Sequence, residues 1–337
     1  MRPFQGGDAG QSPVGGVERE PDAAAVQADL PAPAVEARPI SAWLVLAKLA
    51  LVVGGLVLLL RWAAASLPGD GVTLGPLAAI GAVVLNQVAL LMAALRLRAT
   101  LSAFGMVISR RQAVEIHLQS LFYFFFVPLS VGLEAARFVK IRRIDAGVST
   151  KHLLLALLLD RILGLLTAVA VVGALLYIVA PRVLAERCGL GCLTAVAGTV
   201  VLGAGTLLLS SRVRTMLRDL MAAIASRGYQ ILVLLVLSLL ALLLVCASVY
   251  VVAIGADIPV GMMEVTFAIS ASLLGMVLPL SLLGVTAGEA AGAGIFTLLG
   301  LSPAAAVLLV SAAYLGRLLG AMQGGLLELT SGRQRIT

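Results

Sequence analysis

The chain has 337 residues, 61% of them hydrophobic and 12% charged, with a formal net charge of +7. A mean hydropathy of +1.07 excludes a soluble globular domain, and several apolar runs are long enough to cross a hydrocarbon core of about 30 Å. The positive charge does not indicate nucleic acid, because the basic residues sit in short loops between apolar spans, as positive-inside loops do.

Residues 1–40 are rich in Ala, Pro, Gly and acids and have no apolar periodicity. They are expected to be a disordered cytoplasmic tail; the positive n-region and apolar core of a signal peptide are both missing. The membrane region is expected over 41–330. Ser41–Leu60 is its first span, ending at the interfacial pair Arg61 and Trp62, with Lys48 snorkelling or meeting an acid. Gly75–Leu95 is the second, with Asn86 read as a helix–helix hydrogen bond. Arg96, Arg98, Arg110 and Arg111 then mark a cytoplasmic connection.

The stretch Ala113–Val131 has a run of aromatic residues at 122–126, read as packing, and positive charge on both sides: Arg110 and Arg111 before, Arg137, Lys140, Arg142, Arg143 and Lys151 after. A single crossing would put one cluster outside. A segment that dips in, breaks at Pro128 and Gly132 and returns keeps both inside. Leu153–Ala180 crosses with Asp160 and Arg161, and the Pro181–Gly191 loop faces outside. Cys188 and Cys192 in that region either pair or are two unrelated thiols, while Cys246 reads as a small apolar helix residue. Cys192–Ser210 crosses back, Arg212, Arg214, Arg218 and Arg227 decorate a cytoplasmic amphipathic helix, and Gln230–Ile254 crosses outward. Glu264–Leu301 is broken at Pro279, Gly284 and Gly288. Pro303–Leu327 is the last crossing, and Arg333 and Arg335 place the 331–337 tail in the cytoplasm.

An order of residues recurs at nearly constant spacing. Pro128-Leu129-Ser130 returns as Pro279-Leu280-Ser281, and Glu134-Ala135-Ala136 as Glu289-Ala290-Ala291. Gly147-Val148-Ser149 returns as Gly300-Leu301-Ser302, and Arg161-Ile162-Leu163-Gly164 as Arg317-Leu318-Leu319-Gly320. Four ordered matches indicate an internal repeat. The expected fold is therefore an all-α polytopic membrane protein of two inverted repeats, 41–190 and 192–330, each of about three crossings plus a re-entrant helical hairpin.

No catalytic constellation appears, so no enzyme activity is expected. No cofactor or metal is expected either: His117 and His152 lack ligand spacing and read as polar residues near an interface. There is no phosphate loop for ATP. The informative residues are the intramembrane charges, each costing roughly 2.5–3.5 kcal/mol at mid-bilayer on insertion scales. Asp160 and Arg161 are sequence neighbours on different sides of their helix and need other partners. A two-fold arrangement would bring the two breaks, and Arg161 and Arg317, together near the midplane, where the arginines are expected either to attract a phosphate in a polar cavity or to lock the repeats together. Glu134 and Glu289 would pair with those arginines, bind a cationic headgroup, take up a coupling proton, or cap broken half-helices. Arg137 and Lys140 would recruit a headgroup at the cytoplasmic rim, or be ordinary positive-inside charges.

The order Pro128, Gly132, Arg137, the segment Asp160-Arg161-Ile162-Leu163-Gly164, and the later order Pro279, Gly284, Glu289, Gly300, Arg317 resemble the lysylphosphatidylglycerol synthase transmembrane-region family, also called flippase-like domain proteins. The resemblance covers about residues 41–330. It implies translocation of aminoacylated phospholipids or lipid-linked sugars between leaflets of the inner (plasma) membrane, with both termini cytoplasmic. The expected partners are membrane lipids, an anionic phospholipid or a lipid-linked sugar, with a lipid-modifying enzyme or a second copy of the chain as candidate protein partners and no nucleic acid. The alternatives are a secondary transporter of a small anionic solute and a non-transporting scaffold for a lipid-modifying enzyme. The scaffold requires Arg161 and Arg317 to be fully paired. The family often has a Gly-Gly pair before the first arginine and an arginine before the second glutamate; Val131-Gly132 and Gly288-Glu289 stand here instead. Aminoacylating members carry a following synthase domain, so lipid aminoacylation is not expected of this chain.

Overall fold

A computed structural model of the chain describes residues 54, 75–126, 131–184, 228–276, 281–282 and 285–333. The tail at 1–40, the span at 41–60, Cys188, Cys192, the crossing and amphipathic helix expected between 192 and 227, and Pro128, Pro279 and Gly284 lie outside them.

The described chain runs α1 (Pro76–Ala103), α2 (Arg110–Phe126), α3 (Val131–Ile144), α4 (Thr150–Leu184), α5 (Gly228–Gly255), α6 (Met262–Gly275), β1 (Ser281–Leu282), β2 (Val285–Thr286), α7 (Ala287–Leu298) and α8 (Pro303–Arg333). Local chemistry sets many of the ends. Pro76 and Pro303 sit in the first turns of α1 and α8, where no N–H is needed. Ser109 and Gln112 form a reciprocal capping box at α2, with Ser109 N–H donating to Gln112 Oε1 at 2.8 Å and Gln112 N–H donating to Ser109 Oγ at 3.2 Å. Gly105, with φ of 81°, ends the turn after α1.

Four of the described helices are long and apolar enough to cross a membrane: α1, α4, α5 and α8. The other four are shorter. The 17-residue α2 is about 26 Å long at 1.5 Å per residue, below the hydrocarbon thickness of about 30 Å. The 14-residue α6 is shorter again. Both occur in the interrupted segments, where α2 packs on α3 and α6 packs on α7. The second interruption carries a minimal antiparallel ladder, Ser281 opposite Thr286 and Leu282 opposite Val285.

The packing has a regular pattern. α1 packs on α5, two helices of 28 residues each. α2 packs on α8, and correspondingly α6 packs on α4. α1 touches α4 as α5 touches α8, and α4 touches α5 as α8 touches α1. Among the described residues, each of the main helix–helix contacts made within α1–α4 or from it has its counterpart after exchange with α5–α8. Two hydrogen bonds give the direction of the central pair. Asn86 Nδ2 donates to Ser248 Oγ at 2.9 Å, and Arg96 Nη1 donates to Ser238 Oγ at 3.2 Å. Going forward along α1 means going backward along α5, so the two helices are antiparallel.

Small residues let α8 approach. A methyl group on Gly316, Gly320 or Gly324 would run into Asn86, Leu90 or the Leu118 backbone, a spacing of four that presents one helix stripe for close packing. The aromatic run fills the other side of this contact: Phe124 and Phe125 are buried with Tyr314 and Leu318, and the Phe125 and Tyr314 rings lie 5.6 Å apart. Cys246 is buried in the core around Val249 and Val265, as expected for a small apolar residue.

Several expected boundaries move. α1 does not stop at Leu95 but continues to Ala103, because Leu97 and Leu101 are buried against α2 and α4. Arg96 and Arg98 are therefore helical, not loop, residues. α4 runs through Pro181 to Leu184, so the expected outside loop begins later. Gly132 and Gly288 are not the breaks themselves: each is the second residue of a helix, α3 and α7.

Candidate functional site

The buried charges of the first four helices form one network. Asp160 on α4 is 1% exposed. Its Oδ1 accepts from Arg96 Nε at 2.8 Å and its Oδ2 from Arg96 Nη2 at 3.1 Å, a side-on bidentate pair. Arg137 Nη1 donates to the same Oδ2 at 3.2 Å. A carboxylate without these partners would be too costly to bury. Gly164, one turn beyond, leaves room for the Arg96 guanidinium: a methyl there would stand 3.2 Å from Nη1.

Arg137 on α3 is 3% exposed and joins the remaining members. Nη1 also donates to Glu134 Oε1 at 3.3 Å, and Nη2 lies 2.8 Å from His117 Nδ1 on α2. Glu134 Oε1 accepts in turn from Arg161 Nε at 2.6 Å. Arg161 is the outermost of the set, with 45% of its side chain exposed. Three atoms of this network, His117 Nε2, Arg137 Nε and Glu134 Oε2, are buried without a hydrogen-bond partner among the described residues.

The second set of helices has a smaller counterpart. Arg317 on α8 donates through Nη2 to Glu289 Oε1 on α7, and its Nη1 lies 3.8 Å from Met276 Sδ. The other oxygen of Glu289 accepts from the Thr286 N–H at 2.6 Å and from the Thr286 hydroxyl. Thr286 Oγ1 accepts from Gly288 N–H at 3.2 Å, which completes a capping box at the start of α7. Glu289 thus both caps a half-helix and pairs with an arginine. A latch sits between the two sets: Lys140 Nζ on α3 donates to Glu328 Oε2 on α8 at 2.6 Å, and Tyr123 on α2 donates to Glu328 Oε1 at 3.0 Å.

The expected site residues are therefore divided. Glu134, Arg137, Asp160 and Arg161 are brought together, and Glu289 and Arg317 form a separate pair. Among the described residues Arg161 and Arg317 share no hydrogen-bond partner; each is bound to the glutamate of its own helix set. Arg137 and Lys140 are not open to solvent. Arg137 is sealed by Asp160, Glu134 and His117, and Lys140 is 14% exposed against Glu328. His117 is buried in the network. Arg96 was missed as a site residue because it follows an apolar run of span length; the available signal was that buried Asp160 required a cation on a neighbouring helix.

Among the described residues no group of three or more His, Cys, Asp or Glu side chains could hold a metal ion. Residues 27–319 match the family described as Lysylphosphatidylglycerol synthase TM region, the family that the motifs resemble. No curated protein and no solved structure matches the chain significantly.

Proposed function

This chain belongs to the lysylphosphatidylglycerol synthase TM region family, and we propose that it is a lipid translocator of the flippase type. It moves a phospholipid or lipid-linked headgroup between leaflets of the plasma membrane, without an ATPase of its own and with both termini in the cytoplasm. The observation that carries this reading is the recurrence of one ion pair, Glu134 with Arg161 and Glu289 with Arg317, at the start of the second short helix and inside the last long helix of each set. Repeat-equivalent residues making the same bond, on sets of helices whose packing interchanges, support an internal two-fold relation. The antiparallel α1–α5 pair supports its being an inverted one, with the two interrupted segments as re-entrant hairpins entering from opposite sides. Ionisable side chains at that depth face a protein interior or a polar path, and the first network supplies the polar path for a headgroup.

Reconstitution into liposomes with a labelled anionic phospholipid tests this. The wild-type chain should exchange the label between leaflets. Arg161→Ala should slow exchange roughly 10- to 100-fold, the equivalent of one lost charge-assisted bond of about 1.5–3 kcal/mol. Exchange no faster than in protein-free liposomes would overturn the reading. One observation favours a second one: both Arg161 and Arg317 are already paired with glutamates, as locks in a non-transporting scaffold for a lipid-modifying enzyme would be. In that case Arg161→Ala lowers stability and there is no exchange to slow.

A further inference from the structure

Arg137 uses its three nitrogens unevenly. Nη1 donates to Asp160 and Glu134, Nη2 meets His117 Nδ1 at 2.8 Å, and Nε is buried with no partner among the described residues. The Nε–H and one Nη2–H of a guanidinium point in parallel from one edge, the fork that takes a carboxylate or phosphate side-on. Arg96 shows that edge in use, with Nε and Nη2 on the two oxygens of Asp160. On Arg137 the Nε end of that edge is open, and the Nη2 at its other end is engaged by an imidazole. A guanidinium has only donors, so Nδ1 is the acceptor and His117 is neutral with its proton on Nε2, an atom itself buried without a partner among the described residues.

We propose that the Nε/Nη2 edge of Arg137 is a binding site for a monoanionic phosphodiester headgroup, and that His117, displaced from that edge, takes up one proton, so that the anion and a proton cross together. The proposal rests on the translocator reading and names its substrate class and its coupling. While Nη2 occupies Nδ1, the ring cannot be protonated there without setting donor against donor. Once an anionic oxygen takes the edge, Nδ1 is left buried beside it, and a proton on Nδ1 gives the anion a further charge-assisted bond. The two events favour one another by linkage.

The charge balance agrees. At rest Arg96, Arg137 and Arg161 face Asp160 and Glu134, with His117 neutral, so the network carries one excess positive charge. Adding one anion and one proton leaves that unchanged, and the loaded and empty sites have equal charge. The charged groups that act directly on His117 are Arg137 from α3, Asp160 from α4 and Arg96 from α1. Beyond them, Glu134 is held by Arg137 and Arg161, Glu328 of α8 by Lys140 and Tyr123, and Arg317 of α8 by Glu289, while Glu115 on α2 itself is paired with Arg111. The second helix set has Gly292 where the first has Arg137, in Glu289-Ala290-Ala291-Gly292 against Glu134-Ala135-Ala136-Arg137. It therefore lacks this site.

The test has two arms on the full chain. In weakly buffered detergent near neutral pH, adding short-chain phosphatidylglycerol should draw about one proton from solution per lipid bound, read by a pH indicator; phosphatidylcholine should draw none. In proteoliposomes, a pH gradient should speed movement of labelled phosphatidylglycerol and a valinomycin-set potential should not. In His117→Gln the ratio of rates with and without the gradient should fall to one, whatever the basal rate. Lipid binding without proton uptake in the wild type, or a gradient response that persists in His117→Gln, overturns the proposal. Proton uptake with soluble dimethyl phosphate but not with the lipid overturns the lipid assignment in favour of a solute. Proton uptake without leaflet exchange supports the site and overturns the translocator reading; exchange without proton uptake does the reverse.

Discussion

The corner made by α2, α3 and α4 and the corner made by α6, α7 and α8 are built on the same Glu–Arg pair, yet only the first surrounds it with further buried charge. Glu134–Arg161 is joined by Arg96, Arg137, Asp160 and His117. Glu289–Arg317 has Thr286 and Met276. The repeat places Gly292 against Arg137 and Gly316 against Asp160, and helix position places Ser248 against Arg96. Arg137 and Asp160 bond each other, and both are glycine in the other corner. The charges come or go as a unit, because half of such a network cannot be buried alone. What the corners share is the frame that ties a short helix to a long one, and what they do not share is where specific chemistry belongs.

The largest contrast is one of sidedness. If the corners belong to inverted repeats, Ser130→Cys and Ser281→Cys should be labelled by impermeant thiol reagents from opposite sides of the membrane; labelling of both from one side would break the comparison at its base. Next in size is the unity of the first network. Asp160→Ala leaves Arg96 and Arg137 buried without their shared anion and should cost about 3–5 kcal/mol, seen as a large loss of thermal stability in detergent. Removing Arg96, Arg137 and Asp160 together, each to Ala, leaves the first corner with the single Glu134–Arg161 pair, as the second corner has Glu289–Arg317. That variant should unfold closer to wild type than Asp160→Ala does. In the second corner Glu289→Ala removes a cap and an ion pair and should cost about 1–2 kcal/mol, whereas Glu289→Gln, which can still cap, should cost less. Smallest is the exposed pair Arg111–Glu115, whose loss in Arg111→Ala should stay within about 0.5 kcal/mol.

Much of this was legible in the residues themselves. The Glu-Ala-Ala and Arg-x-Leu-Gly repeats marked both glutamates and both arginines, with their pairing as one alternative beside capping, headgroup binding and proton uptake. The aromatic run at 122–126 and Cys246 were readable as packing. Arg96 was not, because a run of apolar residues long enough to span a membrane makes the next arginine look like its flanking charge. Only tertiary packing of Leu97 and Leu101 keeps α1 going past it. His117 had no spacing signature, and its partner is an arginine twenty positions away on the next helix. Arg137 and Lys140 were grouped with Arg142 and Arg143 as positive-inside charges because a charge cluster does not reveal which of its members the helix turns inward.

The most direct measurement is leaflet exchange of labelled phosphatidylglycerol in liposomes carrying either the wild-type chain or the folded variant with Arg96, Arg137 and Asp160 all replaced by Ala. If the first corner handles the headgroup on a frame common to both, the wild type exchanges the label and the variant, though folded, falls to the rate of protein-free liposomes. Exchange at the wild-type rate by the variant would contradict it.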